Sequence, residues 1–165
     1  MAATDAATTD EDTGLGVHGV SAGDPLAADA GVEMLAQGGT AVDAAIAAAF
    51  ADAVVQPVTS GLGGGGAALV AVDGEVTSFD YREVVDRSGV IPPGGAGIPG
   101  FVAGIERLHA EHGELPWAEL LQPGIELARD GIPVSGFLGM TLAIPSVDGV
   151  RRPAALPRHR RCAPA

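Results

Sequence analysis

An α+β domain is the fold class this sequence predicts, and three observations predict it. Two helical patterns run back to back through residues 25–55, one hairpin signal follows at 67–81, and helical patterns resume after residue 99. Strands and helices are thus segregated along the chain instead of alternating. The 165 residues, 47% of them apolar, suffice for one packed domain, and 25 Gly with 12 Pro against 4% aromatics make it rich in turns and small side chains.

The elements follow in order. Residues 1–15 are small, polar and acidic, as a disordered terminus is. Asp24-Pro25 pairs a capping acceptor with a residue pre-set for the first helical turn, and Gly38-Gly39 closes the segment. Within it Leu26, Ala30 and Met34 share one face, while Asp29, Glu33 and Gln37 form the wet one. Thr40 with Asp43 makes an approximate capping box for a second helix reaching Val55, apolar nearly all round and therefore expected between other elements. Pro57 stops it. After Ser60-Gly61-Leu62-Gly63-Gly64-Gly65-Gly66, a strand is expected at Ala67 to Val72, a turn at Asp73-Gly74 and a second strand at Glu75 to Tyr81. A loop covers 84–98. Helices are then expected from Pro99 to about Gly113, at Pro116 to Leu121, at Pro123 to Asp130 and, briefly, at 135–143.

The net charge is -12, no lysine occurs, and five of the nine Arg (Arg151, Arg152, Arg158, Arg160, Arg161) crowd into the last fifteen positions. The body, residues 16–150, is therefore strongly acidic, which argues against binding nucleic acid or an anionic membrane. The composition resembles that of proteins from salt-loving archaea. Residues 151–165, rich in Arg, Pro and Ala and without an acid, read as an out-of-frame tail of GC-rich coding sequence in preference to a designed basic arm. Cys162, the single cysteine, allows no internal disulfide. With no basic start followed by an apolar run, and no apolar stretch near the ~20 residues that span a bilayer, a cytoplasmic location is expected.

Few residues suggest chemistry. Gly61, Gly63 and Gly66 satisfy G-x-G-x-x-G, with Asp80 and Glu83 about twenty residues on, but the run follows a helix and opens a strand, the reverse of a dinucleotide fingerprint. A phosphate loop would need a lysine. What remains is an anion-binding nest of backbone N–H groups or a close backbone crossing. His18, His109, His112 and His159 lack metal-ligand spacing, and His109 and His112 are expected in solvent at a helix end, where imidazolium suits the dipole. No cofactor and no metal are expected. Thr8-Thr9 carries no catalytic weight. Arg82, in Asp80-Tyr81-Arg82-Glu83, reads either as a surface ion pair or as a guanidinium that grips a substrate carboxylate in two places.

Several blocks resemble one family, the γ-glutamyltransferases, also called γ-glutamyltranspeptidases or glutathione hydrolases. Pro25-Leu26-Ala27 and Gly38-Gly39-Thr40-Ala41-Val42-Asp43-Ala44-Ala45 resemble its double glycine and A-V-D-A-A signature. Ser60-Gly61-Leu62-Gly63-Gly64-Gly65 resembles its S-G-[IL]-G-G-G loop, Asp80-Tyr81-Arg82-Glu83 its D-x-R-E, and Gly97-Ile98-Pro99-Gly100 and Leu115-Pro116-Trp117 its G-V-P-G and L-P-W segments. Val58-Thr59 stands where the family often has His-Ser.

The resemblance implies the front part of a large subunit with the N-terminal nucleophile (Ntn) hydrolase fold, a four-layer αββα arrangement. It implies a precursor that cuts itself to free a threonine, which attacks a γ-glutamyl amide such as glutathione and passes the acyl group to water or an amino acid. It also implies that Arg82 holds the substrate α-carboxylate. No threonine here matches the nucleophile segment, which in the family belongs to a C-terminal subunit, so this chain alone is expected to be inactive. A non-catalytic binding or assembly fragment and a cephalosporin-acylase-like relative stand as alternatives.

Overall fold

The computed structural model describes residues 18–92 and 95–143. The expectations for residues 1–15, Thr8-Thr9 and the 151–165 tail with His159 and Cys162 lie outside the described residues. The chain divides into two compact units, with the boundary between Val134 and Ser135.

In the first unit α1 (Pro25–Ala36) begins where Asp24 accepts the Leu26 N–H at 3.0 Å. It ends at Gly38, whose φ of +84° needs a residue without a β-carbon. α2 (Ala41–Val55) opens on a complete capping box between Thr40 and Asp43. As its all-apolar pattern predicts, α2 is the centre of the unit, packed by α1, by α3 (Phe101–His112) and by α4 (Trp117–Asp130). Ile46, Ala47 and Ala51 are fully buried. Its small residues let partners approach closely: a β-carbon at Gly31 of α1 would lie 2.9 Å from the Ala44 carbonyl oxygen. The α1 face that meets α2 is Ala27, Ala30, Gly31 and Met34. Leu26, expected on that face, is exposed, its neighbour Ala27 taking the buried position.

β1 (Ala67–Val72) and β2 (Glu75–Asp80) pair antiparallel as an isolated hairpin, with Ala68 opposite Phe79 and Val72 opposite Glu75. Asp73 (φ 50°) and Gly74 (φ 84°) form the left-handed two-residue turn that an Asp-Gly pair predicts. One face of the hairpin places Val70 and Phe79 in the core, while Leu69 and Val76 on the other face are exposed. Phe50 joins the layers, making edge contacts with Phe101 and Trp117 at 5.4 and 5.6 Å. Burying side chains such as Met34, Ile46 and Leu120 contributes about 1.5–3 kcal/mol each.

The segments Pro116–Leu121 and Pro123–Asp130, expected as separate helices, are a single helix, α4, with Pro123 inside it. Proline there removes one backbone bond and costs about 3 kcal/mol in an isolated helix. Packing on both sides of it wins: Leu120 is fully buried, and Gly124 sits on the Phe50 carbonyl, where a β-carbon would lie 3.2 Å from the oxygen. In the second unit α5 (Gly136–Ala143) starts where the Ser135 hydroxyl accepts the Leu138 N–H at 3.1 Å.

Candidate functional site

The glycine run is a backbone crossing. It follows α2 and leads into β1, and three glycine-bearing stretches close around Tyr81 and Arg82 at the end of β2. A β-carbon at Gly65 would lie 2.5 Å from the Tyr81 carbonyl oxygen and 2.7 Å from the Arg82 α-carbon. One at Gly66 would strike the Tyr81 ring, one at Gly100 the Tyr81 carbonyl, and one at Gly104 of α3 the Tyr81 side chain. Approaches this short exclude any side chain larger than hydrogen.

Hydrogen bonds fix the same stretch. The hairpin ladder runs one residue beyond β2, with Tyr81 N–H donating to the Gly66 oxygen (2.9 Å) and Gly66 N–H to the Tyr81 oxygen (3.3 Å). On the other side of Arg82, Val84 and Ile98 exchange both N–H···O bonds, at 3.2 and 2.7 Å. The Gly64 carbonyl accepts from the N–H groups of Gly100 and Phe101, both at 3.0 Å. Helix α3 has no side-chain cap, so the glycine loop takes up N–H groups that its first turn leaves free. Arg82 is therefore held on a backbone pinned before and after it. Burial of half-covered Tyr81 pushes its phenol above the usual range.

The Arg82 guanidinium projects into solvent, 72% exposed. Its Nε–H donates to Asp80 Oδ1 (3.0 Å) and an Nη2–H to Oδ2 (2.7 Å), while the Arg82 backbone N–H reaches Oδ1 at 3.2 Å. Hydrogen bonds from Arg82 hold the Asp80 carboxyl down at about 2, and the Arg82 guanidinium is raised in turn. Asp80 occupies one edge of the planar fork. The outer edge, carrying both Nη1 hydrogens and the second Nη2 hydrogen, has no partner among the described residues. That edge has the spacing to take both oxygens of a second carboxylate.

The remaining candidates fall elsewhere. His109 and His112 are half-buried and not in solvent as expected: His109 Nε2 lies 2.8 Å from the Leu115 oxygen and its ring packs on Trp117, while His112 meets the edge of Phe79. The chain after α3 brings Leu115 and Trp117 against His109, and Phe79 of β2 packs against His112. His18 lines a cleft of about 410 Å³ between residues 18–23 and the alanine face of α2, with Asp52 at its edge and Arg82 not among its walls. No group of three or more His, Cys, Asp or Glu that could hold a metal occurs among the described residues. None of their helices is long and apolar enough to cross a membrane.

Sequence reasoning missed the reach of Asp43. It is fully buried and accepts from the Thr40 N–H (2.8 Å) and hydroxyl (3.0 Å), and across the fold from the N–H groups of Glu114 (3.1 Å) and Leu115 (3.3 Å). The capping box signalled only the local half.

A solvent-facing guanidinium with one edge unpartnered among the described residues, set on a hairpin end crowded by glycines, is what this α+β unit offers. The chain belongs to the γ-glutamyltranspeptidase family, whose sequence model matches residues 27–154. The capsule biosynthesis protein CapD proenzyme of Bacillus anthracis is 44% identical over 127 residues, which are 77% of this chain and 24% of that protein. The glutathione hydrolase proenzyme of Pseudomonas aeruginosa is 36% identical over 133 residues, 70% of this chain and 24% of that protein. A crystal structure of the B. anthracis transpeptidase CapD superposes with a TM-score of 0.74 at 42% identity, covering 80% of this chain and 48% of that one. The fold is thus part of the Ntn-hydrolase architecture expected from the resemblance, and the chain spans about a quarter of the length of these curated relatives.

Proposed function

We propose that this chain supplies the carboxylate-gripping part of an enzyme acting on γ-glutamyl amides, with Arg82 holding the α-carboxylate of the γ-glutamyl group. The observation that carries the reading is the outer edge of a guanidinium, without a partner among the described residues, whose backbone Gly65 and Gly100 approach closely. Family membership supports the substrate class. The scissile amide lies three carbons from the α-carboxylate, so Arg82 fixes the end of the substrate remote from the bond that breaks. Such a contact is equally strong in ground and transition states and is felt in KM more than in kcat.

Bond breaking belongs to a nucleophile outside this segment, the family's threonine, so a second, C-terminal subunit is the partner in this reading. By itself the segment binds and does not turn over. A cytoplasmic setting goes with the proposal.

The test is an NMR titration of the ¹⁵N-labelled chain with L-glutamate and, separately, with 4-aminobutanamide, which carries no carboxylate. Glutamate is expected to shift the Arg82 side-chain and Gly64–Gly66 signals with a Kd in the region of ~1 mM, about −4 kcal/mol. 4-Aminobutanamide and the Arg82→Ala variant are expected to show no such shift. Equal responses to the two ligands, or an undiminished response in Arg82→Ala, would overturn the reading.

A further inference from the structure

We infer that Asp80 is a positioning residue for this site: it clamps one edge of the Arg82 fork so that the other edge is presented, already oriented, to an incoming carboxylate. The inference rests on the reading of Arg82 given above and goes beyond it.

Both groups are largely exposed, 72% for the Arg82 side chain and 62% for Asp80. A pair so exposed adds little to the stability of the fold, so stability does not explain its geometry. The geometry is nonetheless more constrained than that of the other exposed pair among the described residues, Arg107 with Glu111, where one Nε–H meets one carboxylate oxygen at 2.7 Å. Asp80 takes three donors from one residue: the backbone N–H, Nε–H and Nη2–H of Arg82. The first of these ties the carboxylate to a backbone that Gly65, Gly66 and Gly100 already hold. A rigid chain thus runs from the glycine clasp through Asp80 to the guanidinium plane.

An arginine side chain left free loses rotamer freedom on being fixed by a ligand. Clamped by Asp80, Arg82 has given up most of that freedom before the ligand arrives. The carboxylate charge of Asp80 acts the other way, since it repels an incoming anion. The two roles of Asp80 therefore predict opposite signs when it is removed. A clamp weakens binding on removal, whereas a bystander ion pair leaves binding unchanged or tightens it by lifting the repulsion.

The glutamate titration separates them, applied to Asp80→Ala, Asp80→Asn and Glu111→Ala in the full chain. Asp80→Ala is expected to raise the Kd about tenfold and to speed the exchange of the Arg82 Nε–H with water. Asp80→Asn, which keeps an acceptor at the Oδ1 position, is expected to recover part of both. Glu111→Ala is expected to change neither. If Asp80→Ala binds glutamate as well as or better than the parent while Arg82→Ala does not bind, the clamp is overturned and the reading of Arg82 stands. If Arg82→Ala binds normally, both fall together.

Discussion

Two regions of this molecule use an aspartate to hold backbone and side-chain donors, and they do it in opposite settings. At the start of α2, Asp43 is fully buried and gathers donors from two parts of the chain more than seventy residues apart. At the end of β2, Asp80 is exposed and gathers donors from one residue two positions away. A carboxylate without water has only its protein partners, so losing them exposes the full desolvation cost; a carboxylate at the surface can replace a lost partner with water at little cost to the fold. The first arrangement fixes a fold, whereas the second can fix a ligand-binding group without making the fold depend on it.

The largest effect expected from this contrast is at Asp43. Asp43→Ala leaves the Glu114 and Leu115 N–H groups, and the cap at Thr40, without their acceptor, and should destabilise the chain by about 3 kcal/mol or more. Urea unfolding followed by circular dichroism measures it. A loss below about 1 kcal/mol would mean that the buried carboxylate is replaceable, and the contrast with Asp80 would collapse.

A smaller effect is expected where the two regions touch. Gly104 belongs to the helical layer, yet a β-carbon there would collide with Tyr81, the residue before Arg82. Gly104→Ala should cost about 1–3 kcal/mol as an overpacked contact. It should also lose the glutamate-induced shifts, though Arg82 and Asp80 are intact, because Tyr81 must move. Unchanged ligand response in a destabilised Gly104→Ala chain would show that the clasp serves packing alone.

What the sequence made legible divides along the same line. Local chemistry could be read directly: Thr40 and Asp43 announced the start of α2, Asp73-Gly74 the hairpin turn, and the all-apolar pattern of α2 its central place. Arg82 stood out because it is one of four Arg in an acidic body and, beside a glycine run, matches the D-x-R-E block. Contacts between distant segments were not. Nothing near Asp43 points to Glu114, nothing near Pro123 says that Leu120 and Gly124 would hold one helix across it, and nothing near His109 or His112 says that Leu115 and Phe79 would cover them. The glycine run is intermediate. Its composition left a nest and a crossing open, and only the position of Tyr81 decides for the crossing.

Asp52 tests the rule with a third case, since it has neither the donors of Asp43 nor the hydration of Asp80. Its Oδ1 is buried without a hydrogen-bond partner among the described residues. Burial raises its carboxyl above the usual value, and the negative charge of Asp24 raises it further. An acid whose folded pKa lies above its unfolded value binds its proton more tightly when folded. Ionisation therefore works against the fold: stability falls as pH rises from the unfolded value of 3.8 through the raised folded value, and the deficit persists at neutral pH. Asp52→Asn removes the charge and should stabilise the chain at pH 7, by less than about 1 kcal/mol because the carboxyl keeps part of its hydration. The gain should shrink towards pH 3, where the parent carboxyl is protonated in both states. Thermal unfolding of both proteins at the two pH values measures this. A gain that is absent at pH 7, or the same at both, would mean that solvent reaches Asp52 as freely as it reaches Asp80, and that donors alone distinguish the carboxylates of this fold.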